Sequence, residues 1–258
     1  MKIIISIFLI LVSYVWPVSA EVTSSFWQTK KSQHFIIYYQ ETPESFIDEL
    51  TDKAEGYYSS IMEGLGFRRF DFWSWDNRAK IYLFNNDADY LKETQGLAWS
   101  GAHVSIKNRT IKTFMGQQLF LDSILPHEMT HIIFREFIGL KVNLPLWIDE
   151  GVACSQEKSS LDSRMRLAVG LVAQDAYLRF DKLSEVRDAN LIVPNIFYSE
   201  SAAIIVFLLT KYDKDLFLDF SRKLRDGMGW EKAILDTYHF ANLAEFETAW
   251  KDFLLSQP

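Results

Sequence analysis

The spacing of apolar positions predicts alternating strands and helices in the first part of the chain. Residues 34–39 (HFIIYY) and 79–84 (AKIYLF) are short runs rich in β-branched and aromatic side chains, which is typical of strands. Between them, over residues 46–65, apolar positions recur at helical spacing, and Thr42 is predicted to cap this helix. Asp87 is predicted to cap a further, shorter helix.

The pattern changes class near residue 115. Two β-branched runs within residues 97–114 predict a hairpin. After this hairpin, apolar residues recur at helical spacing through the rest of the chain. The predicted helices span residues 164–180, 199–212, 214–225 and 230–238, and a last one begins at Asn242 with Glu245 in a capping box. We therefore expect an α+β fold, in which residues 21–115 form a small mixed sheet with an edge-strand hairpin and residues 116–258 form a mostly helical lobe. The two parts are expected to make one compact unit.

The first twenty residues follow a different pattern. Lys2 precedes an apolar run over residues 3–12, and Val18-Ser19-Ala20 is a small-x-small cleavage site. A secretory signal peptide over residues 1–20 is predicted, with an uncleaved membrane anchor as the alternative. We expect a periplasmic or extracellular protein with no stable membrane insertion after cleavage.

Composition narrows the possible partners. The chain has 27 Lys and Arg against 34 Asp and Glu, so nucleic acid is not expected as a partner. Its 258 residues, 48% of them hydrophobic, suffice for a substantial core. Because Cys154 is the only cysteine, no internal disulfide can form, and stability must come from this core. The sequence leaves the oligomeric state unknown.

Residues 123–151 carry the strongest chemical signal. His127, Glu128 and His131 form the motif H-E-x-x-H, and Glu150 follows after eighteen intervening residues. Histidines at i and i+4 lie on one face of a helix, so both imidazoles can bind one metal ion. A third ligand from a second helix would leave one tetrahedral position open, as catalytic zinc requires. One Zn²⁺ per chain, bound by His127, His131 and Glu150, is therefore predicted.

Local signals place this motif on a helix. Ser123 is predicted to cap the helix, Pro126 suits its first turn, and Gly139 suits its C-terminal end. The alternatives are a histidine pair with a purely structural role, or a degenerate site that keeps its shape without metal.

These residues resemble a known family, the gluzincin zinc metallopeptidases. The block HEMTH at residues 127–131 and the run LWIDEG at residues 146–151 are similar to its two signature blocks, and the chain resembles the compact exported peptidase MA-like proteins within it. Residues 198–203 (YSESAA) resemble a helix start whose tyrosine lies at the active site. The resemblance covers about residues 30–255 and implies a thermolysin-like zincin catalytic domain that hydrolyses peptide bonds in a peptide or protein substrate.

Two side chains receive catalytic roles under this interpretation. Glu128 is placed to accept a proton from the attacking water and is the predicted general base. Tyr198 is the predicted donor to the developing oxyanion, because a phenol stays protonated at neutral pH. A core tyrosine is the alternative, in which case His103 or His239 could serve instead.

Two positions near the third ligand bear on how the zinc histidines are held. Thermolysin-type enzymes carry an Asp four residues after the glutamate ligand, as partner of a zinc histidine, whereas Cys154 stands there in this chain. The partner must therefore come from elsewhere. Asp149 is expected to point away from the site as a surface residue, or to be an orienting contact.

The stretch before the metal helix bears on substrate choice. A strand over residues 97–106 that borders the metal cleft could pair with an extended peptide, although an ordinary sheet edge is equally consistent with the pattern. The predicted substrate-binding residues are Trp99, Gly101, Ala102 and His103. The zinc aminopeptidases have Gly-Ala-Met-Glu in this stretch, and its glutamate binds the free α-amino group, whereas residues 101–104 here read Gly-Ala-His-Val. An endopeptidase is favoured over an aminopeptidase unless Glu157 or Glu200 binds the amine.

Two other functions remain compatible with the sequence. One is a non-catalytic exported module that binds peptides on a zincin scaffold, and the other is a metal-dependent hydrolase of a non-peptide bond. The intact Glu128 argues against the first, because a binding module has no need of a general base.

Overall fold

The computed structural model describes residues 27–95, 101–189 and 192–257, and within them the fold is α+β, as predicted. The predicted signal peptide lies outside the described residues. Five described strands form one sheet: β1 Gln28–Lys31, β2 Phe35–Tyr39, β3 Ala79–Phe84, β4 His103–Ser105 and β5 Thr110–Phe114. Ten described α-helices accompany it: α1 Glu44–Gly64, α2 Asp87–Thr94, α3 Leu125–Ile138, α4 Leu146–Ser155, α5 Lys158–Ala173, α6 Phe180–Glu185, α7 Pro194–Lys211, α8 Lys214–Arg225, α9 Trp230–Tyr238 and α10 Leu243–Leu255.

The sheet has the strand order β1-β2-β3-β5-β4. β3 pairs in parallel with β2 and β5, and the outer strands β1 and β4 pair antiparallel with their neighbours. The predicted hairpin is confirmed, since β4 pairs with β5 from His103 opposite Lys112 to Ser105 opposite Thr110. Within the described sheet β4 is an edge strand.

The core lies between the inner face of this sheet and the helices. Phe35, Ile37 and Ile81 from the strands are buried in one continuous cluster with residues of α1, α3, α4 and α7. Gly151 allows α4 and α7 to approach backbone to backbone, because a Cβ there would lie 2.8 Å from the carbonyl carbon of Ser201 and closer still to its oxygen. This close packing fixes α4 against α7.

The predicted ranges of several helices and strands are confirmed, but the range of one predicted helix is wrong. β3, α8 and α9 match their predicted ranges, and Asn242 caps α10 by accepting from the backbone N–H of Glu245. The predicted helix over residues 164–180 is wrong at both ends, because α5 begins at Lys158 and ends at Ala173, and α6 begins only at Phe180. The chain turns between them at Asp175, which has a φ of 52°, and the N–H of Leu178 binds the carboxylate of Glu200 instead of a helical carbonyl.

The predicted helix caps were less accurate. Pro43 occupies the N-cap of α1 in place of Thr42, and Asn86 caps α2 in place of Asp87. Ser123 does not cap α3, because it lies in a π-helical turn, Phe120–Ile124, that runs directly into that helix. Its hydroxyl is therefore free of the capping role and donates to Glu157.

The remaining signals around α3 are confirmed. Pro126 lies in the first turn, and Gly139 ends the helix with a φ of 101°. Across the described part of the chain, the helices lack the length and apolarity that crossing a membrane requires.

Candidate metal centre

Two of the three possible metal ligands come from one helix, α3. His127 and His131 are one turn apart on α3, and their Nε2 atoms lie 3.1 Å apart. The opposite face of α3 is buried in the core through Met129, Ile132 and Ile133. This burial fixes the rotation of the helix, so the two imidazoles project together on the other side.

Glu150 on α4 completes a triangle of possible ligand atoms. Its Oε2 lies 3.5 Å from Nε2 of His127 and 3.7 Å from Nε2 of His131. Ligand atoms about 2.05 Å from a tetrahedral zinc ion stand about 3.3 Å apart, so the triangle fits such an ion. The structure therefore brings together the three residues that the sequence proposed as ligands.

Both histidines are held from behind by carboxylates. Oε1 of Glu157 lies 2.6 Å from Nδ1 of His127, and Oδ1 of Asp149 lies 3.6 Å from Nδ1 of His131. Carboxylates in this position fix the ring orientation and direct the Nε2 lone pair toward a metal. Asp149 is thus an orienting contact and does not point away on the surface.

Arginines anchor these two carboxylates. Arg135 binds Asp149 with its Nη2 atom 2.9 Å from Oδ2 and its Nε atom 3.1 Å from both carboxylate oxygens. Arg164 reaches Glu157, with Nη2 3.1 Å from Oε2. Neither arginine was predicted from the sequence.

The electrostatics of the cluster favour positive charge at its centre. Burial lowers the pKa of His131, but the neighbouring carboxylates of Asp149 and Glu150 outweigh it and raise that pKa to about 9. The pKa of His127 is also raised, because Cys154, Glu150 and Glu157 outweigh its burial. Burial raises the pKa of Glu150, but the two histidines outweigh it and hold that pKa well below its ordinary value. A divalent cation would satisfy the same carboxylates.

Glu128, the predicted general base, follows His127 on α3 and is half-buried. Within the described residues, no hydrogen bond or ion pair of its side chain is found, whereas the nearby Glu150 and Glu157 are both engaged. Among the described residues its carboxylate is therefore not held by a partner.

Tyr198 lies near the metal-binding group. Burial raises the pKa of its phenol, the nearby Glu150 raises it further, and His127 acts on it in the opposite direction. The guanidinium carbon of Arg164 lies 5.8 Å from the centre of its ring. Tyr198 is thus half-buried beside the cluster and keeps its proton at neutral pH.

The predicted substrate-binding residues fall in different places. A Cβ on Gly101 would lie 2.6 Å from Cδ1 of Ile124, so this residue abuts the turn that leads into α3. Ala102 packs against the core at the start of β4. Trp99 lies outside the described residues.

His103 is not brought to the metal-binding group. It is exposed and lines a cavity of about 1370 Å³ over the outer face of the sheet, together with Tyr82 and Lys112, while the next residue, Val104, packs inward on the core. His239 is exposed at the C-terminal end of α9 in a left-handed conformation. Neither histidine replaces Tyr198 in this structure.

The two carboxylates proposed as alternative amine binders are already engaged. Glu157 binds His127, and the buried Glu200 accepts the backbone N–H of Leu178. The contact of Glu157 with His127 was missed from the sequence, where the only signal is an acidic residue seven positions after Glu150.

The fold and the converging groups are those of a zincin-like domain. The family model of the Peptidase MA superfamily matches residues 79–256, well over half of the chain. The chain therefore belongs to the Peptidase MA superfamily. A search of curated proteins found no match.

Proposed function

We propose that this protein is an exported zinc metallopeptidase that cleaves bonds within peptide or protein chains. One observation carries the proposal: two Nε2 atoms and one carboxylate oxygen converge at 3.1 to 3.7 Å, and a carboxylate lies behind each histidine. The distance between the two Nε2 atoms also suits an N–H···N hydrogen bond between the rings, but the oxygen of Glu150 facing both nitrogens and the carboxylates behind both rings favour a bound cation.

The residues around the ion have separate tasks. When bound, zinc supplies a polarised scissile carbonyl and a water that is nucleophilic near neutral pH. Glu128 accepts the proton of the attacking water and passes it to the leaving amine. Tyr198 donates a hydrogen bond to the carbonyl oxygen as negative charge develops on it. Glu157 and Asp149 keep the histidine rings in place.

Binding of an extended chain is supported by the edge strand. Gly101, two residues before β4, abuts the turn before α3, close to the first turn that carries His127. Backbone pairing along this strand would hold a substrate at an interior bond. Neither Glu157 nor Glu200 is free to bind a terminal amine, which favours an endopeptidase.

A glutamate substitution tests the proposal. Glu128→Gln should keep stoichiometric zinc but lose peptide cleavage by a factor of a hundred or more, because an amide cannot take the proton. Glu136→Gln is the matched control, since Glu136 lies on the same helix and pairs with Arg109 outside the cluster.

Three outcomes separate the candidate functions. Cleavage by Glu128→Gln within a few-fold of wild type would contradict the proposed base. Wild-type protein that retains zinc and binds peptides without cleaving them would be a binding module. Zinc-dependent turnover of esters alone would indicate a hydrolase of non-peptide bonds.

A further inference from the structure

We propose that Glu157 is the positioning residue for His127, in place of the acid that position 154 lacks. The inference rests on the proposed zinc function. It concerns a residue that does not touch the ion itself, but decides which nitrogen of His127 is offered to it.

The carboxylate of Glu157 is fully engaged. Besides the 2.6 Å contact with Nδ1 of His127, it accepts from Ser123 at 3.1 Å, Ser160 at 2.7 Å and Arg164 at 3.1 Å. Its side chain is only 4% exposed. An ionised carboxylate has about four acceptor sites, and four donors surround this one, so it cannot turn toward the ligand triangle.

This arrangement sets the tautomer of His127. In the neutral ring that binds a metal, an acceptor at Nδ1 requires the proton there and leaves Nε2 bare, and Nε2 is the atom that faces His131 and Glu150. The equivalent contact at His131 is longer, at 3.6 Å, and Asp149 is committed mainly to Arg135. Glu157 is therefore the stronger of the two supports.

Cys154 cannot position the His127 ring in place of Glu157. Its thiol is buried and its Sγ lies 3.9 Å from Nδ1 of His127, so it is a weak partner. The helix α4 ends at Ser155, and Glu157 has a non-helical backbone just before α5 begins. That break turns the side chain of Glu157 back toward α3.

Zinc affinity measures the role of Glu157 independently of catalytic turnover. Chelator competition should show that Glu157→Gln binds zinc 10- to 100-fold more weakly than wild type, which is the usual effect of losing such a support. Glu55→Gln is the matched control, because Oε2 of Glu55 lies 2.5 Å from Nδ1 of His34, a buried histidine outside the metal cluster. The control should keep wild-type zinc affinity.

A rescue separates positioning from a merely structural role. Cys154→Asp in the Glu157→Gln background places a carboxylate within reach of Nδ1 and should restore most of the zinc affinity. Recovery would support the proposal, because Ser123, Ser160 and Arg164 would still lack their charged partner. No recovery would assign the loss to the fold and overturn it, as would equal zinc affinity of wild type and Glu157→Gln.

Proton NMR of the metal-free protein keeps this test independent of the proposed function. The Nδ1 proton of His127 should resonate far downfield in wild type and lose that shift in Glu157→Gln. Wild-type protein that binds no zinc would contradict the metallopeptidase proposal, whereas an unchanged Nδ1 resonance would contradict the role of Glu157.

Discussion

The Nε2 atom of His127 lies 3.1 Å from the Nε2 atom of His131, and the carboxylate of Glu150 faces both. Two bare ring nitrogens at this distance repel each other, as do two protonated ones, and either a proton shared between the rings or a bound metal ion removes the repulsion. The core side of α3 is tightly packed, so the helix cannot rotate and both rings stay facing Glu150. The fold thus holds the histidines in an arrangement that a metal ion would stabilise.

Tyr198 should contribute to turnover and little to substrate binding. Losing one oxyanion donor costs on the order of a hundredfold in rate, since the bond strengthens only in the transition state. Steady-state kinetics of Tyr198→Phe should therefore show a lower kcat with KM near wild type. Tyr212→Phe, at the C-terminal end of the same helix, is the control. Unchanged kcat in Tyr198→Phe would leave Tyr198 with a packing role only.

A side chain at position 151 should destabilise the fold. A Cβ there would clash with the backbone of Ser201, forcing α4 away from α7 and moving the adjacent Glu150. Gly151→Ala should lower the free energy of unfolding by about 1–3 kcal/mol and weaken zinc binding.

Gly170 on α5 is the matched control for this prediction. A Cβ at Gly170 meets nothing closer than 3.9 Å, so Gly170→Ala should raise the free energy of unfolding by about 0.5–1 kcal/mol through helix propensity. Urea unfolding of both variants checks the pair. Equal stability of the two would show that the contact between α4 and α7 is looser than described.

Glu200 should make stability fall as pH rises. Burial raises the pKa of its carboxyl from 4.5 to about 8. Between these values the unfolded chain ionises this group while the folded chain keeps its proton, so the folded state is progressively disfavoured as pH increases.

Glu200→Gln keeps an oxygen acceptor for the N–H of Leu178 and cannot ionise. Its stability advantage over wild type should therefore grow by on the order of 3 kcal/mol from pH 5 to pH 8.5. Urea unfolding with chelator present at both pH values measures it, and Glu231→Gln, at an exposed position of α9, is the control. A pH-independent difference would mean that Glu200 is ionised in the fold.

An endopeptidase should cleave N-acetylated peptides as well as free ones. The structure offers no free carboxylate at Glu157 or Glu200 for an α-amino group, and Val104 packs inward. Mass spectrometry of a matched peptide series decides the point. Strict dependence on the free amine would make this prediction wrong.

Sequence spacing was most informative where the chemistry lies within one helix. His127 and His131 are related by helical periodicity alone, so their convergence could be predicted. The contact between Glu157 and His127 could not, because it depends on the break after Ser155 that reorients the chain before α5. Asp149 was similarly ambiguous, since its direction depends on Arg135.

Two further features of the sheet could not be predicted from the sequence, the strand β1 and the direction of the His103 side chain. β1, with the sequence QTKK, is mostly exposed and carries no alternating pattern, so it was not predicted. His103 was expected near the substrate because β4 was correctly placed before α3. Strand alternation, however, sends its side chain to the outer face of the sheet, and that register was not predicted.

The most direct test of a catalytic zinc at His127, His131 and Glu150 is the cleavage rate of an internally quenched peptide before metal removal, after it, and after zinc is added back. We predict that chelation abolishes cleavage, that one equivalent of zinc restores it, and that the His127→Ala, His131→Ala double variant neither retains zinc nor cleaves. Cleavage that continues unchanged after all metal has been removed would contradict the account.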